Sequence, residues 1–373
     1  MGDATRRGHG CGHYNNAPFP RPWVSKLLSD ARFELLSRWV TQDLDLRVAR
    51  IEVASADASF RRYFRAVLPD GGSWIVMDAP PAQENIGPYL KVASLLHGAG
   101  VHVPAIHAVD RERGFVLLED LGSTPFLTEL RKPARASVLY AAALDTLARI
   151  QIDALDAARA LAPYDAAALR RELELMPEWF CGRHLQILLE PAERELIERT
   201  FLWLIDQALA QPVGFVHRDY HSRNLMVLPH DETGVIDFQD ALAGPVGYDL
   251  VSLLKDCYIS WPRTEVERWV LSYRQRLLVR DASSLAGSSD REFLRWFDLI
   301  GVQRHIKILG IFARLWWRDG KAGYLDDLPL TLDYVRDAAA RHVELREFGL
   351  WLERRIVPLL AMANTRAREV KPR

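Results

Sequence analysis

Alternating apolar and polar positions predict a small β-sheet in the first third of the chain. The predicted strands, rich in β-branched and aromatic residues, are 50–55, 60–68, 73–79, 103–110 and 114–122. Asp-Gly-Gly at 70–72 is a turn typical of a hairpin. Segment 84–100 is predicted as a helix, because Pro88 suits a first helical turn and Gly98 and Gly100 suit its end. This part of the chain is therefore expected to form a sheet that carries one helix.

After Gly122 the apolar spacing changes to that of helices. Segments 134–151, 193–210 and 301–320 are rich in apolar residues at helical spacing. The apolar stripes of the last two segments are Leu196, Ile197, Phe201, Leu204 and Leu209, and Val302, Ile306, Leu309, Phe312 and Trp316. The second part of the chain is therefore predicted to be mostly helical.

Together these elements predict an α+β chain of two lobes. A β-rich N-terminal lobe is expected at 25–122, with a hinge at 117–122, and a larger helical C-terminal lobe at 123–365. Residues 1–24 are expected to form a flexible tail. Ligand sites favour interfaces between lobes, so a site is expected where the two lobes meet.

Composition and charge narrow the class of protein. Nearly half of the 373 residues are hydrophobic, which is enough for a sizeable core, and the formal net charge of −1 gives no indication of nucleic-acid binding. No apolar run is long enough to span a bilayer, and the first residues lack the apolar centre of a secretory signal. Three widely spaced cysteines do not suggest a disulfide framework. We therefore expect a cytoplasmic protein without a membrane or nucleic-acid partner.

Three possible metal ligands lie in the predicted tail. His9, Cys11 and His13 are compatible with a metal-binding tract, and equally with an ordinary tail rich in glycine, asparagine and proline. No fourth ligand at a closed spacing is evident, which favours the ordinary tail.

The most informative polar pattern lies in FVHRDYHSRNLMV, residues 215–227. It places His217, Asp219 and Asn224 in one loop between apolar residues. A strand, a polar turn and a second strand follow, and this hairpin is expected to bring Asp237 back beside Asn224. Mg²⁺ prefers oxygen ligands such as those of Asn224 and Asp237, together with substrate phosphates and water. Asp219, kept off the metal, would accept a proton from an attacking hydroxyl group.

A lone His-x-Asp is usually only a capped turn, so the combination carries the argument. His-Arg-Asp is followed after four residues by Asn, as in a kinase catalytic loop, and Asp-Phe-Gln at 237–239 stands where kinases have Asp-Phe-Gly. Phosphoryl transfer needs mainly in-line positioning and neutralisation of phosphate charge, which these residues supply. The pattern therefore indicates a kinase.

With these residues the chain resembles, from about residue 30 to 340, the aminoglycoside phosphotransferase-like kinases, relatives of protein kinases that phosphorylate small molecules. The resemblance implies a bilobal protein-kinase-like fold that uses ATP and Mg²⁺. It implies Asp219 as the catalytic base and Asn224 and Asp237 as the Mg²⁺ ligands. His217 and Asp249 are implied as structural supports of the catalytic loop.

Further stretches extend this resemblance. LLEDLG at 117–122 is similar to the hinge whose backbone meets adenine, which implies ATP contacts near Glu119 and Leu121. The segments ASFRRYFR, VMDAPPAQEN, HRDYHSRNLM and IDFQDALAGPVGYDLVSLLKD look most like the kinases of cell-wall recycling. Those enzymes phosphorylate the anomeric hydroxyl of N-acetylmuramate and N-acetylglucosamine to the α-1-phosphate. The resemblance therefore implies an amino-sugar 1-kinase of peptidoglycan recycling.

Two features of a kinase nucleotide site are missing from the sequence. No glycine-rich loop is present, and the third strand offers Met77 and Asp78 where a lysine is expected. Arg61 or Arg62, with Ser59 and nearby backbone N–H groups, are the proposed ATP contacts in place of that lysine. The alternative is that these arginines only cover a solvated strand face.

The acceptor pocket is expected in the C-terminal lobe. Candidate sugar contacts are Asp219, Asp240, Glu178, Trp179, Arg304 and Lys307. Arg304 and Lys307 belong to a basic stripe on the predicted helix 301–320 and could pair with the lactyl carboxylate of N-acetylmuramate. The stripe could equally be a solvated face, and Trp179 could be a core residue.

Three functions remain open from the sequence. The chain is expected to be an amino-sugar kinase, a kinase of another hydroxylated small molecule such as an aminoglycoside, or a nucleotide-binding module without catalysis. The missing strand lysine favours the last, whereas the complete set of Asp219, Asn224 and Asp237 argues against it. The protein is expected to be a monomer.

Overall fold

The first part of the chain folds as an antiparallel sheet. The computed structural model describes residues 30–56, 60–280 and 282–370. Its first sheet has the strand order β1-β2-β3-β5-β4. The strands are β1 (Arg50–Ala56), β2 (Arg62–Val67), β3 (Ser73–Asp78), β4 (Ile106–Asp110) and β5 (Phe115–Glu119). All five strands lie where the apolar pattern predicts them.

Two helices accompany this sheet. Helix α1 (Ala31–Arg38) begins at Asp30, whose carboxylate accepts a hydrogen bond from the N–H of Phe33 at 2.7 Å, and a π-helical turn (Trp39–Asp43) continues it. Helix α2 (Gly87–Gly98) lies between β3 and β4, as predicted, with Pro88 in its first turn. Helix α1 was not predicted from the apolar pattern.

The two faces of the sheet pack differently. Side chains alternate along a strand, so Phe64 and Val76 share one face and form a small core with Leu36 of α1. Met77 and Val116 lie on the other face and join the main hydrophobic core. This alternation decides which polar residues of β2 can reach the C-terminal lobe.

The C-terminal part is mostly helical, as predicted. Its helices are α3 (Phe126–Leu130), α4 (Pro133–Asp153), α5 (Leu155–Ala158), α6 (Ala166–Leu173), α7 (Pro191–Leu209), α8 (Gly247–Leu254), α9 (Arg263–Val279), α10 (Asp290–Trp317), α11 (Leu328–Arg341), α12 (Arg346–Trp351) and α13 (Val357–Glu369). A π-helical segment (Met176–Leu185) lies between α6 and α7, and another (Leu352–Ile356) between α12 and α13. No helix in the part of the chain that the structure describes is long and apolar enough to cross a bilayer.

Helix α10 runs through the middle of the helical lobe. A Cβ atom at Gly310 would lie 2.3 Å from the backbone carbonyl carbon of Leu175, so only glycine allows the two backbones to approach this closely. The side chains of α10 are buried over most of its length, including those of Arg304 and Lys307. The helix therefore reaches from the core to the underside of the polar loop at 217–224.

Two short antiparallel strand pairs position that loop. Strand β6 (Val213–Val216) pairs with β9 (Leu242–Pro245), and β7 (Leu225–Val227) pairs with β8 (Thr233–Val235). The loop between β6 and β7 and the loop between β8 and β9 therefore lie side by side. The N–H of Ile236 donates to the carbonyl oxygen of Asn224 at 3.1 Å, which joins the two loops.

Candidate active site

His217 holds the polar loop from below. Its side chain is fully buried, its Nε2–H donates to the carbonyl oxygen of Ile236 at 3.1 Å, and its Nδ1 accepts from the N–H of Asp219 at 3.3 Å. Burial lowers the pKa of His217 to about 4, so the ring is neutral near pH 7. The neutral imidazole can satisfy both contacts and fixes the backbone before Asp219.

Asp249 supports the same loop from α8. Its carboxylate accepts hydrogen bonds from the N–H groups of His217 at 2.6 Å and Arg218 at 3.0 Å. Burial raises the pKa of Asp249 to about 7 in spite of these two hydrogen bonds. Arg218 has a φ of 77°, a conformation rare outside glycine, and these contacts hold it there.

The side chains of Asn224 and Asp237 meet where the loop between β6 and β7 lies beside the loop between β8 and β9. The Nδ2 of Asn224 donates to Asp237 Oδ2 at 3.2 Å and to the carbonyl oxygen of Asp219 at 3.1 Å. Gln239 Nε2 donates to the other carboxylate oxygen of Asp237 at 2.8 Å. Asp237 has a φ of 63°, so both loops contain a backbone position under strain. The structure thus brings together the three residues that the loop pattern singled out.

The oxygen atoms of Asn224 and Asp237 suit a Mg²⁺ ion that is also bound by a nucleotide better than a metal ion bound by protein ligands alone. Asn224 offers an amide oxygen and Asp237 a carboxylate, and the two side chains lie within hydrogen-bond distance of each other. Among the described residues, no cluster of three or more His, Cys, Asp or Glu side chains is arranged to hold a metal. A cation bound here would therefore need further ligands from phosphates and water, which is how Mg²⁺ binds with nucleotides.

The charges around Asp219 keep its carboxylate ionised. Burial by itself would raise the pKa of Asp219, but Lys307, with Arg304 and Arg218, outweighs burial and holds that pKa below its ordinary value. An ionised carboxylate at neutral pH can accept a hydrogen bond, and then a proton, from a hydroxyl group.

Arg304 and Lys307 lie beneath the loop and do not line the cleft. Arg304 Nη1 donates to the carbonyl oxygen of Arg218 at 2.8 Å and to Tyr248 Oη at 3.2 Å. Lys307 Nζ donates to Tyr248 Oη at 3.0 Å and lies 2.9 Å from Glu172 Oε1. Glu172 also pairs with Arg218. The structure therefore does not support a sugar contact by Arg304 or Lys307, because both side chains are buried beneath the loop and neither lines the cleft. They are equally not on a solvated face.

A cleft of about 580 Å³ lies between the two lobes and contains the site. The C-terminal part supplies Asp219, Asn224 and Asp237 to its wall. The sheet and hinge supply Ala54, Tyr63, Arg65, Ile75, Leu118, Glu119, Asp120, Leu121 and Gly122. The predicted hinge residues Glu119 and Leu121 are therefore both at the cleft.

The two predicted arginines of the sheet lie on different faces. Arg62 shares the face of Phe64, where its Nε donates to the buried Asp78 at 2.9 Å and its guanidinium also pairs with Asp30. Arg62 thus points away from the cleft, which contradicts its prediction as an ATP contact. Arg61 pairs with Glu84 at 3.3 Å and lies near Asp240 and Asp237, whose charges help raise its pKa against the effect of burial. Ser59 lies outside the described residues.

The remaining predicted sugar contacts are not in the cleft wall. Glu178 and Trp179 belong to the π-helical segment Met176–Leu185; Glu178 is exposed, and Trp179 packs against the main core. This placement contradicts the prediction for both residues. Asp240 is exposed beside Gln239, which donates to it at 3.4 Å.

Several cleft residues were not predicted from the sequence. Arg65 lines the cleft and donates to Asp120 at 2.6 and 3.1 Å. His221, Arg223, Tyr258 and Tyr324 form the wall next to Asp219. Arg65 shares the strand phase of Tyr63, a signal present in the sequence, whereas the approach of Tyr258 and Tyr324 to the loop depends on the fold.

Comparisons with known proteins agree with this geometry. A family model described as the phosphotransferase enzyme family matches residues 50–297. The N-acetylmuramate/N-acetylglucosamine kinase of Pseudomonas aeruginosa (strain PAO1) is 46% identical over 334 residues, covering 86% of this chain and 96% of that protein. The kinase of the same name from Pseudomonas putida (strain KT2440) is 44% identical over 331 residues, covering 86% of this chain and 95% of that protein.

A solved structure shares the fold. The ADP-bound aminoglycoside phosphotransferase APH(2'')-Ib matches with a TM-score of 0.51 and 14% identity, covering 82% of this chain and 98% of that chain. The predicted bilobal kinase-like fold and the resemblance to aminoglycoside phosphotransferase-like kinases are thereby confirmed. The chain belongs to the phosphotransferase enzyme family.

Proposed function

We propose that the protein is an ATP- and Mg²⁺-dependent kinase that phosphorylates the anomeric hydroxyl of N-acetylmuramate and N-acetylglucosamine to the α-1-phosphate, in peptidoglycan recycling. The observation that carries this proposal is the convergence of Asp219, Asn224 and Asp237 in one cleft. The names of the two Pseudomonas relatives support the choice of sugars.

Each residue of the site has a distinct task in this proposal. Bound ATP and Mg²⁺ supply the terminal phosphoryl group and neutralise its charge. Asp219 orients the sugar hydroxyl and accepts its proton, as its low pKa allows. Asn224 and Asp237 hold the cation, and Gln239 keeps the Asp237 carboxylate in place.

The nucleotide is proposed to lie along the sheet side of the cleft. Glu119 and Leu121 at the hinge would lie beside the adenine, and Arg61, near Asp237 and Asp240, would meet the phosphates. The ADP bound to APH(2'')-Ib supports nucleotide use by this fold. Arg61 would thereby replace the strand lysine that the sequence lacks.

Phosphorus NMR of the product tests the proposal. N-acetylmuramate or N-acetylglucosamine is incubated with ATP, Mg²⁺ and enzyme, and proton coupling to the new phosphate shows which carbon carries it. We expect a sugar 1-phosphate with α configuration from both sugars. A product phosphorylated at another hydroxyl would contradict the anomeric assignment, and turnover of an aminoglycoside but of neither sugar would overturn the proposed substrate.

Asp219→Asn separates a kinase from a nucleotide-binding module. In a kinase, we expect the variant to bind ATP and to lose most of its phosphate transfer. Equal phosphate transfer by wild type and variant would show that the loop is not catalytic.

A further inference from the structure

The wall of the cleft next to Asp219 combines a cation with two aromatic rings. The guanidinium carbon of Arg223 lies 3.5 Å from the ring centroid of Tyr258 and 5.7 Å from that of Tyr324. His221 meets the Tyr258 ring edge-on at 5.5 Å between centroids. All four residues line the same cleft as Asp219 and Asn224. We call this group, His221, Arg223, Tyr258 and Tyr324, the aromatic wall.

Asp256 holds the aromatic wall in register with the catalytic loop. One of its carboxylate oxygens accepts from the N–H and hydroxyl of Ser222, and the other accepts from the N–H of Tyr258 at 3.1 Å. The Tyr258 and Tyr324 rings are braced from behind by Phe312, at 6.3 and 5.1 Å between centroids. Arg223 and Tyr258, far apart in sequence, are thus fixed to one anchor.

The other cations near the site are less suited to an anionic acceptor. Arg304 and Lys307 are buried beneath the loop with protein partners. Among the described residues, two arginines line the cleft, and one of them, Arg65, lies at the hinge beside Gly122, on the side where the nucleotide is proposed to bind. Arg223 is the other, and it lies on the side of the catalytic base.

Stacked arginine and tyrosine fit a charged sugar in two ways. A guanidinium stacked on an aromatic ring keeps its N–H groups in a plane parallel to that ring. These groups point outward and can form hydrogen bonds with a carboxylate. Tyrosine rings offer flat apolar area to a pyranose together with a polar hydroxyl group. N-acetylmuramate has both features, whereas N-acetylglucosamine has no carboxylate.

We propose that Arg223, held over the ring of Tyr258, is a specificity-determining residue that pairs with the lactyl carboxylate of N-acetylmuramate, while Tyr324 contacts the sugar ring. This inference rests on the proposed function and assigns the part of the cleft that receives the acceptor. N-acetylglucosamine binds in the same part of the cleft without using the charge of Arg223.

The test compares both sugars in wild type, Arg223→Gln and Arg268→Gln. Arg268 is the matched control, because its guanidinium also lies over an aromatic ring, that of Trp269 at 5.6 Å, outside the cleft wall. We expect R223Q to lower kcat/KM for N-acetylmuramate about 10- to 100-fold more than kcat/KM for N-acetylglucosamine. R268Q should leave both values unchanged.

A substrate analogue tests the same contact without any substitution. The carboxamide of N-acetylmuramate keeps the shape of the lactyl group and removes its charge. Wild type should use the carboxamide about 10- to 100-fold less efficiently than the acid, and R223Q should barely distinguish the two. Wild type that uses acid and carboxamide equally well would overturn the inference, even if R223Q does not fold.

The outcomes separate this inference from the proposed function. Suppose that wild type phosphorylates both sugars. If R223Q then loses activity on both sugars equally, or shows a raised KM for ATP in place of the loss on N-acetylmuramate, Arg223 does not bind the acceptor carboxylate. The inference would then be wrong, while the proposed function would stand. If wild type phosphorylates neither sugar, the proposed function fails and the inference fails with it.

Discussion

The two sides of the cleft hold their charged side chains in different surroundings. Beneath Asp219, Arg304 and Lys307 are almost wholly buried, 4% and 6% exposed, and bound to Tyr248 and to backbone or Glu172. On the sheet side, the Arg65 side chain is 22% exposed and bound to Asp120. Because buried charges are screened less by water, the cations beneath the loop act strongly on the ionisation of Asp219.

This difference shows where the protein keeps to the kinase pattern and where it departs from it. The loop side carries the whole His-Arg-Asp and Asn set on strained backbone supported by Asp249. The sheet side lacks the expected lysine, and its third strand ends at Asp78, a fully buried partner of Arg32 and Arg62. The loop side thus keeps the residues of the kinase pattern, and the departure from that pattern lies on the sheet side.

The largest expected effect comes from Asp219, the proposed catalytic base. Asp219→Asn should lower kcat by about 10²–10⁴-fold, because the amide cannot take the proton of the hydroxyl group. The KM for ATP should change little, since the sheet side is untouched. Steady-state kinetics with either sugar measures both; a kcat within a few-fold of wild type would break the assignment of the base to the loop side.

Removing Lys307 should reveal what the buried charges do. In wild type the depressed pKa keeps Asp219 ionised at neutral pH, so its protonation should reduce kcat/KM only at acidic pH, below the range in which an ordinary aspartate titrates. Lys307→Met removes the strongest of these cations, so the pKa of Asp219 should rise and the acid limb of kcat/KM should move to higher pH. The variant should also lose about 3 kcal/mol of unfolding free energy, because Glu172 loses a buried partner.

Lys255→Met is the control for that prediction. Lys255 is also buried and pairs with Asp298 at 3.1 Å, but Asp219 is not among the groups that perturb its pKa. It should cost a similar free energy of unfolding and leave the acid limb where wild type has it. A common shift of the limb in both variants would mean that the limb reports general stability.

The smallest expected effects distinguish two neighbouring arginines on the sheet side. Arg62→Gln should lower the free energy of unfolding by about 2 kcal/mol and leave the KM for ATP unchanged, because Arg62 serves Asp78 on the far face. Arg61→Gln should raise the KM for ATP about tenfold. Thermal unfolding and ATP titration of the two variants measure these effects. If Arg62→Gln instead raised the KM for ATP and Arg61→Gln left it unchanged, the faces assigned to the two residues would be wrong.

The sequence predicts best those contacts that join residues close together in the chain. His217, Asp219 and Asn224 lie within one loop, and a short hairpin brings Asp237 to them, so spacing alone indicates their meeting. Arg62 lies two residues before the buried Phe64 on β2, so the alternation of side chains places Arg62 on the same face, away from the cleft. This signal is local and present in the sequence.

The wrong predictions depend on contacts between distant segments. Helical spacing on α10 groups Arg304 with Lys307, but only the arrival of Glu172 from α6 and Tyr248 from α8 decides that the pair is buried. The aromatic wall needs Tyr258 and Tyr324 to approach Arg223 through the packing of the helical lobe. No periodicity within one segment contains that information.

Binding of Mn²⁺ in the presence of a non-hydrolysable ATP analogue tests the central claim most directly, with free Mn²⁺ followed by electron paramagnetic resonance. If Asn224 and Asp237 hold the cation while Asp219 stays off it, wild type and Asp219→Asn should bind Mn²⁺ with similar Kd, and Asp237→Asn should bind about tenfold or more weakly. Binding by Asp237→Asn as tight as wild type, or a loss confined to Asp219→Asn, would contradict the account.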